Sequence, residues 1–284
     1  MKKKSAPKPE LKPSTILVRF GEIALKSPRV RRKFASRLVG NMRRMLPGHP
    51  RIKKEWSRVF VEAGDPEVLS ALTKIFGIVS VSPAYVCAPT MPEIQKLALK
   101  LAKEHIKKTD SFAIRARRAG THKFTSQDIG IKIGDAVRKA SGAKVNLGKP
   151  TKELFIEARQ DHAYVFIESI KAPGGLPYGV EGKVLGLYEG SAEFKLATYL
   201  LAKRGCEIEL LGNAPADFMK EWLGGVKVHS KMPNDDRLKA VYTADTIKDI
   251  KKFAAFDKKY ELEVFRPLLG LNESAIKKAL GILH

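Results

Sequence analysis

The sequence lacks several features that whole classes of protein require. It contains only two cysteines, Cys87 and Cys206, which are far apart and show no C-x-x-C spacing. A disulfide framework and a cysteine metal site are therefore not expected, and each thiol is interpreted as a small buried side chain. No apolar run approaches the roughly 20 residues that a membrane-spanning helix needs. Residues 1–10 carry charges without an apolar stretch behind them, so we expect a soluble, cytoplasmic protein with no membrane partner.

Acidic residues are scarce in the first half of the chain. Residues 1–159 contain 35 Lys and Arg against 13 Asp and Glu, a net charge of +22, whereas residues 160–284 contain 18 against 17. A field of this sign favours a polyanionic partner, because each neutralised phosphate of a nucleic acid releases counterions and adds to the affinity. The alternative is a solvated basic surface with no ligand. The asymmetry predicts that nucleic acid binds to the first half.

Periodicity in the first half predicts two α+β units. A strand at 15–20, a basic helix at 28–46, strands at 51–55 and 58–62, a helix at 65–74 and a strand at 79–86 form a βαββαβ pattern, which is typical of a ferredoxin-like fold. A second set follows, with helices at 91–106 and 125–140 and strands at 111–117, 154–158 and 164–168. Residues 171–179 are dense in Pro and Gly and predict a domain boundary.

Beyond that boundary, strands and helices alternate. The expected strands are 184–188, 207–211, 226–229, 238–243 and 263–265, and the expected helices are 192–203, 216–223, 246–256 and 273–280. Such alternation is typical of a doubly wound sheet of parallel strands. The chain is therefore predicted to be multidomain, with α+β units followed by an α/β domain.

Two groups of residues are candidate RNA contacts. The first recurs around the basic helix and comprises Arg31, Arg32, Lys33, Arg37, Arg43 and Arg44. The second leaves a strand and reaches a helix N-terminus, which attracts phosphate by itself, and comprises Arg115, Arg117, Arg118, Thr121, His122, Lys123, Phe124, Ser126 and Gln127. Phe124 has two interpretations, since it can stack on a base or pack the entry of the helix. The first group can equally be a solvated helix face.

The turn after the strand at 184–188 has the geometry of a phosphate site, but its residues are unsuitable for one. A strand, a tight turn and a helix beginning near Ala192 would aim backbone N–H groups at an anion. Glu189 repels a bound triphosphate by roughly 1 kcal/mol or more. Phe194 places a ring where a hydroxyl donor would serve. His229 has no neighbours in sequence that complete a metal site or a catalytic set. We therefore predict no catalytic and no metal-binding residues.

Several stretches, in this order, resemble one family. They are Ile16-Leu-Val-Arg-Phe-Gly-Glu-Ile-Ala-Leu-Lys26, the segment from Phe112 to Gln127, Asp161-His-Ala-Tyr-Val165, Pro173-Gly-Gly-Leu-Pro-Tyr-Gly179 and Glu181-Gly-Lys-Val-Leu185. Together they resemble the tRNA 4-thiouridine synthases, which are tRNA sulfurtransferases also tied to thiamine biosynthesis. The resemblance is close over residues 14 to about 205 and weaker through 264–272. It implies a ferredoxin-like domain, a THUMP domain that places the tRNA acceptor end, and a PP-loop ATP pyrophosphatase domain that adenylates a uridine.

The residues depart from that family at three places. Its loop reads Ser-Gly-Gly-x-Asp-Ser, and the matching positions here are Glu189, Gly190, Ser191, Ala192, Glu193 and Phe194. Both hydroxyls and the second glycine are therefore missing. The family also relays sulfur through a cysteine late in the ATP domain, and this sequence has no cysteine after Cys206. The segment 214–239 is also too short for the family's middle portion.

These observations give one expected organisation and three alternative functions. The predicted parts are a basic disordered arm (1–13), a ferredoxin-like domain (14–88), a THUMP RNA-binding domain (89–170), a linker (171–182) and a degenerate, reduced doubly wound PP-loop-like domain (183–284). We expect a tRNA-binding protein without ATP pyrophosphatase or sulfur-transfer activity and without a cofactor. An active sulfurtransferase that uses ATP, Mg²⁺ and an external sulfur donor is the alternative. The third is a subunit that presents RNA to a separate modifying enzyme. A homodimer is compatible with each.

Overall fold

The computed structural model describes residues 12–55, 58–281 and 283, which divide into two compact units. Unit 1 consists of the described residues up to Val18 together with residues 59–69 and 81–170. Unit 2 consists of the described residues within 19–58, 70–80 and 171–283. Most of the predicted basic arm lies outside the described residues. The domain boundaries expected from the sequence stay predictions.

Strands and helices alternate along most of the chain. The strands are β1 Thr15–Phe20, β2 Arg51–Lys54, β3 Val59–Glu62, β4 Ile78–Cys87, β5 Ser111–Arg118, β6 Lys144–Val145, β7 Lys152–Ala158, β8 Ala163–Phe166, β9 Ile170–Lys171, β10 Gly182–Leu187, β11 Cys206–Leu211, β12 Lys227–His229, β13 Leu238–Tyr242 and β14 Glu263–Phe265. The α-helices are α1 Pro28–Met45, α2 Pro66–Leu72, α3 Met91–His105, α4 Ser126–Ser141, α5 Ala192–Lys203, α6 Lys220–Leu223, α7 Phe253–Asp257 and α8 Glu273–Leu280. Two 3₁₀ helices occupy Glu22–Leu25 and Ile247–Lys252.

Unit 1 is a mixed sheet with two helices packed on it. Its strands follow the order β3-β1-β4-β8-β7-β5-β6, in which β5 is parallel to β6 and β7, while β8 is antiparallel to β4 and β7. The apolar faces of α3 and α4 meet β5, β7 and β8 in one core, which includes Ile94, Leu101, Ile129 and Ile133. The recurrence of these residues at helical spacing explains why both segments form amphipathic helices.

Unit 2 contains a five-stranded, wholly parallel sheet in the order β12-β11-β10-β13-β14. The chain adds β11 and β12 on one side of β10 and then β13 and β14 on the other. The order therefore reverses between β10 and β13, which is the place where ligands bind in open α/β sheets. The expected class, with α+β elements followed by a parallel α/β sheet, is confirmed.

Two helices expected in unit 2 differ from the structure. Residues 216–219 form a turn instead of the first half of a helix, because Met219 adopts a left-handed conformation with φ of 48°. The helix expected at 246–256 begins as the 3₁₀ helix Ile247–Lys252 and continues as α7. The short strands β6 and β9 were not expected, since two residues give no periodic pattern.

Two features are absent from the described residues, namely a membrane-crossing helix and a metal-binding cluster. None of their helices combines the length and the apolarity that crossing a membrane requires. They contain no group of three or more His, Cys, Asp and Glu side chains placed to hold a metal ion.

Candidate nucleic-acid interface

The turn between β5 and α4 gathers one of the two predicted groups of RNA contacts in unit 1. We call the residues from Arg115 to Gln127 the β5–α4 cluster. Side chains alternate along a strand, so Arg115 and Arg117 project from one face of β5 and Arg118 from the other. Arg117 and Lys123 are exposed. Both cations are therefore accessible to a phosphate.

Other members of the β5–α4 cluster hold the turn together. The Nε of Arg115 donates to Oε1 of Glu153 on β7 at 2.7 Å, and its Nη2 donates to the Leu147 carbonyl at 2.9 Å. Arg118 closes the turn by donating to the Gly120 carbonyl at 2.7 Å. The N–H of Thr121 donates to Oε1 of Gln160 at 3.0 Å. These residues shape the turn, which leaves Arg117 and Lys123 as the better candidates for direct contact.

A capping box begins α4 beside these cations. The Asp128 N–H donates to the Thr125 hydroxyl at 3.1 Å, and the Thr125 N–H donates back to the Asp128 carboxylate at 2.7 Å. The backbone N–H of Thr125 and then its hydroxyl hold the pKa of Asp128 below its ordinary value. The box fixes the first turn of α4. Because the Asp128 carboxylate already offsets part of the positive end of the helix dipole, the attraction for an anion comes mainly from Arg117 and Lys123. Ser126 and Gln127 are exposed in that same turn.

Phe124 packs against its own unit. Its ring lies partly buried against the core beneath α4 and stacks on His122 with the ring centroids 5.0 Å apart. The structure therefore places Phe124 at the entry of the helix, which was the second of its two interpretations. The Nε2 atom of His122 is buried, and among the described residues it has no hydrogen-bond partner.

The second predicted group lies on α1 in unit 2, and its arginines differ in their surroundings. Arg32, Lys33 and Arg43 are exposed, and Arg31 is partly buried. Arg37 donates to the Gly179 carbonyl at 2.9 Å. Arg44 donates to the Leu223 carbonyl at 3.1 Å and lies over the Tyr178 ring at 5.8 Å. Arg37 and Arg44 therefore hold α1 against the rest of unit 2.

Because Arg44 makes contacts within unit 2, its substitution should lower stability, whereas substitution of Arg32 and Lys33 should lower RNA affinity. We expect Arg44→Ala to lower the free energy of unfolding by about 1 kcal/mol, because it removes a hydrogen bond and a cation–π contact. We expect Arg32→Ala with Lys33→Ala to leave stability unchanged and to lower RNA affinity. Urea unfolding and an RNA titration of the same samples separate the two effects. Equal stability losses in both variants would show that the contacts of Arg44 with Leu223 and Tyr178 do not stabilise unit 2.

We call residues 189–194 the degenerate loop, because they lack the hydroxyls and the second glycine of the family's motif. They join β10 to α5 in unit 2, where the strand order reverses. Gly190 has φ of 80°, a conformation that favours glycine. Ser191 is the N-cap of α5, and its hydroxyl accepts from the Phe194 N–H at 3.0 Å. The same hydroxyl donates to Oε1 of Glu189 at 2.9 Å. The chain thus places its own hydroxyl and carboxylate at the helix N-terminus where a phosphate would bind.

Phe194 lies in the core of unit 2. Its ring is completely buried, stacks on Tyr242 at 5.3 Å and packs edge-on against Tyr188 at 5.5 Å. A Cβ atom at Gly186 would lie 2.4 Å from Cζ of Tyr242 and 2.7 Å from Cζ of Phe194, so only glycine fits there. The expectation that the ring stands beside the phosphate position was therefore wrong in geometry. The position still lacks a hydroxyl donor.

An ionic network on the same sheet was missed by the sequence analysis. The Nζ atom of Lys183 on β10 lies 2.6 Å from Oε1 of Glu209 on β11 and 2.9 Å from Oδ2 of Asp235. The Nε2 atom of His229 on β12 lies 2.6 Å from Oε2 of Glu209. Arg237 pairs with Asp235 at 2.8 Å. We call Lys183, Glu209, His229, Asp235 and Arg237 the Lys183 network.

Contacts within the Lys183 network shift the pKa values of Lys183 and Glu209. The hydrogen bond to Glu209 raises the pKa of Lys183, although burial opposes the shift. Burial acts to raise the pKa of Glu209, but the hydrogen bonds from Lys183 and His229 outweigh it and lower the pKa. The sequence held one signal: Glu207 and Glu209 alternate with apolar residues in β11, which puts both carboxylates on one face of the sheet. No local pattern indicated their partners.

Two segments of the chain match known domain families. Residues 15–82 match the ThiI ferredoxin-like domain, and residues 88–168 match the THUMP domain. These matches define the class of protein, which is a THUMP protein with a ThiI ferredoxin-like domain. The chain is also 40% identical over 208 residues to a probable tRNA sulfurtransferase of Methanosarcina mazei and 39% identical over 207 residues to one of Methanothermobacter thermautotrophicus. The chain is thus a relative of the tRNA sulfurtransferases, and the resemblance seen in the sequence is confirmed.

The coverage and identity of each match limit which properties of the matched proteins can be assigned to this chain. The alignment covers 70% of this chain but 51% of the Methanosarcina mazei protein, so the chain spans about half the length of the curated relatives it matches. Among solved structures, PH1313 of Pyrococcus horikoshii is 28% identical with a TM-score of 0.82, over 95% of this chain and 99% of that one. A 4-thiouridine synthetase in complex with RNA and ATP is 23% identical with a TM-score of 0.79, over 96% and 85%. At that identity the second likeness concerns the fold.

Proposed function

We propose that this protein binds tRNA through its basic first half, at the acceptor end, and that it has neither ATP pyrophosphatase nor sulfur-transfer activity. The net charge of +22 over residues 1–159 supports the RNA-binding part. The exposure of Arg117 and Lys123 beside the N-terminus of α4 supports the β5–α4 cluster as a contact. The relatives named tRNA sulfurtransferases support tRNA as the RNA.

One observation at the N-terminus of α5 supports the proposed loss of ATP pyrophosphatase activity. The Ser191 hydroxyl and the Glu189 carboxylate occupy the N-terminus of α5, so a triphosphate would have to displace the first and approach the second. Displacing the cap forfeits a hydrogen bond, and the carboxylate repels the phosphates. Without adenylation of a uridine, sulfur transfer would have no activated substrate.

We expect the unmodified protein to show no thermal shift at millimolar ATP. Glu189→Ser with Ser191→Gly removes the repulsion and the self-capping hydroxyl, so ATP binding should become detectable by calorimetry. Phe194 is kept in this variant, since replacing a fully buried aromatic ring costs about 3 to 5 kcal/mol and would obscure the result. Glu193→Ser is the matched control, because it removes a carboxylate of the same helix and leaves the hydrogen bond between Ser191 and Glu189 in place.

The second candidate is an active ATP-dependent sulfurtransferase with an external sulfur donor. The name of the relatives favours it, as does the retained strand, turn and helix with Gly190 at φ of 80°. Release of pyrophosphate by the unmodified protein, stimulated by tRNA, would establish this function and overturn our proposal. Co-purification of a separate modifying enzyme would instead support a role in presenting RNA. Sedimentation tests whether the chain forms a homodimer.

A further inference from the structure

An apolar groove of about 850 Å³ opens on unit 2, and none of its described lining residues belongs to the groups assigned to RNA or to the degenerate loop. The last turns of α5 contribute Leu200 and Leu201, and the segment from β14 onwards contributes Val264, Phe265, Leu269 and Leu271. Phe265 is 43% exposed and Leu269 is 39% exposed. Large apolar side chains that are exposed next to one another are typical of an interaction surface.

An apolar ridge continues from this groove. A 3₁₀ helix has three residues per turn, so Ile247, Ile250 and Phe253 lie in one row along the segment Ile247–Lys252 and its C-cap. Phe253 lines the groove, whereas Ile247 and Ile250 are each 54% exposed. The row therefore extends the apolar surface beyond the groove itself.

The ridge is held in place by specific contacts. Thr246 and Asp249 form a capping box at its start. Arg266 pairs with Asp257 and, at 3.1 Å, with Asp245, and its guanidinium lies 3.9 Å from the centroid of the Phe253 ring. A surface fixed in this way loses little conformational entropy when a partner binds.

The rim of the groove carries positive charge. Lys203 and Arg204 stand at the end of α5, and Lys251 is exposed next to Ile250. Arg266 contributes little to this charge because two aspartates neutralise it. Glu22 is the acidic residue among the described residues that line the groove. A complementary partner therefore has an apolar stripe with acidic residues beside it.

We propose that the groove and ridge bind an amphipathic helical segment of a separate protein, with acidic residues flanking its apolar stripe. Helices dock into apolar grooves through residues spaced three and four apart. A second copy of this chain fits less well, because an isologous contact would bring two basic rims together. Single-stranded RNA also fits less well, since bases stack on aromatic rings and this surface is mostly aliphatic. The proposal is independent of the proposed tRNA function.

The test uses the full chain and two labelled synthetic peptides of about 15 residues that share a leucine stripe at helical spacing. One peptide carries Glu on its flanks and the other carries Lys. In fluorescence anisotropy titrations, the acidic peptide should bind at least tenfold more tightly than the basic one. Ile250→Glu should weaken the acidic peptide at least tenfold, whereas Met232→Glu, at a residue of unit 2 that is 46% exposed and does not line the groove, should leave it unchanged.

The second part of the test reverses the charge at the rim of the groove. Arg204→Glu with Lys251→Glu should invert the preference, so that the basic peptide binds better. Circular dichroism confirms that each variant is folded. Equal binding of both peptides, or no effect of Ile250→Glu, overturns the proposal. A dimer in sedimentation that Ile250→Glu dissociates would assign the surface to a second copy, and a loss of RNA affinity in the same variant would assign it to RNA; both results overturn the proposal.

Discussion

Replacing Arg117 and Lys123 together by alanine should weaken the binding of tRNA about 100-fold at low salt. Each cation that contacts a phosphate contributes roughly 1.5 kcal/mol, and about 3 kcal/mol for the pair corresponds to this factor. Both side chains are exposed beside the capped N-terminus of α4. Each lost phosphate contact should also reduce the slope of log K against log salt by about 0.7 to 0.9.

Arg115 is left unchanged in this variant because of its contacts in the structure. Arg115 bonds to Glu153 and to the Leu147 carbonyl, so its removal would disturb the turn as well as the charge. The matched control is Lys96→Ala with Lys103→Ala on α3, which removes the same charge from the same unit. Titrations at several salt concentrations should show an unchanged slope for this control. If the β5–α4 variant kept both its slope and its affinity, the assignment of the cluster would be wrong.

Lys183→Met should lower the free energy of unfolding by about 3 kcal/mol at neutral pH. The side chain of Lys183 is 7% exposed and that of Glu209 is 6% exposed, so the substitution leaves a buried carboxylate without its closest cation. Adding Glu209→Gln removes that uncompensated charge and should restore part of the loss. Lys248→Met is the control, because Lys248 pairs with Glu273 at the surface and such pairs contribute little.

The penalty in Lys183→Met should also depend on pH. The lowered pKa values of Glu209 and Asp235 mean that their contribution is present above the unfolded values near 4 and is lost as pH falls through the folded values. The raised pKa of Lys183 means that its contribution is present below about 10.4 and is lost as pH rises through the folded value. The penalty should therefore be largest between about pH 5 and pH 10.

Urea unfolding followed by tryptophan fluorescence measures this effect. Trp222 packs against Phe76 and Tyr199 within unit 2 and so reports on the unit that contains the Lys183 network. A penalty that stayed the same at pH 3 and pH 7 would show that the ionic pairing does not stabilise the sheet. Equal penalties for Lys183→Met and Lys248→Met would lead to the same conclusion.

The sequence by itself determined what depends on neighbouring residues. The periodic pattern predicted the helix at 125–140, and the alternation of strands and helices predicted the parallel sheet of unit 2. The altered loop from Glu189 to Phe194 could also be recognised in the sequence, because a turn and the first turn of its helix lie within six consecutive residues. The concentration of positive charge in residues 1–159 needed no structure at all.

Only the tertiary structure decided which of these side chains serve the fold. Arg37 and Arg44 look like other arginines of α1, but their carbonyl partners lie 142 and 179 residues further along the chain. Phe194 of α5 is a core residue because Gly186 on β10 leaves room for its ring and Tyr242 on β13 stacks against it. The Lys183 network likewise joins β10, β11 and β12, and parallel pairing brings them together through crossovers that no local pattern encodes. Sequence patterns report on residues a few positions apart, whereas such partners are set by how the whole unit folds.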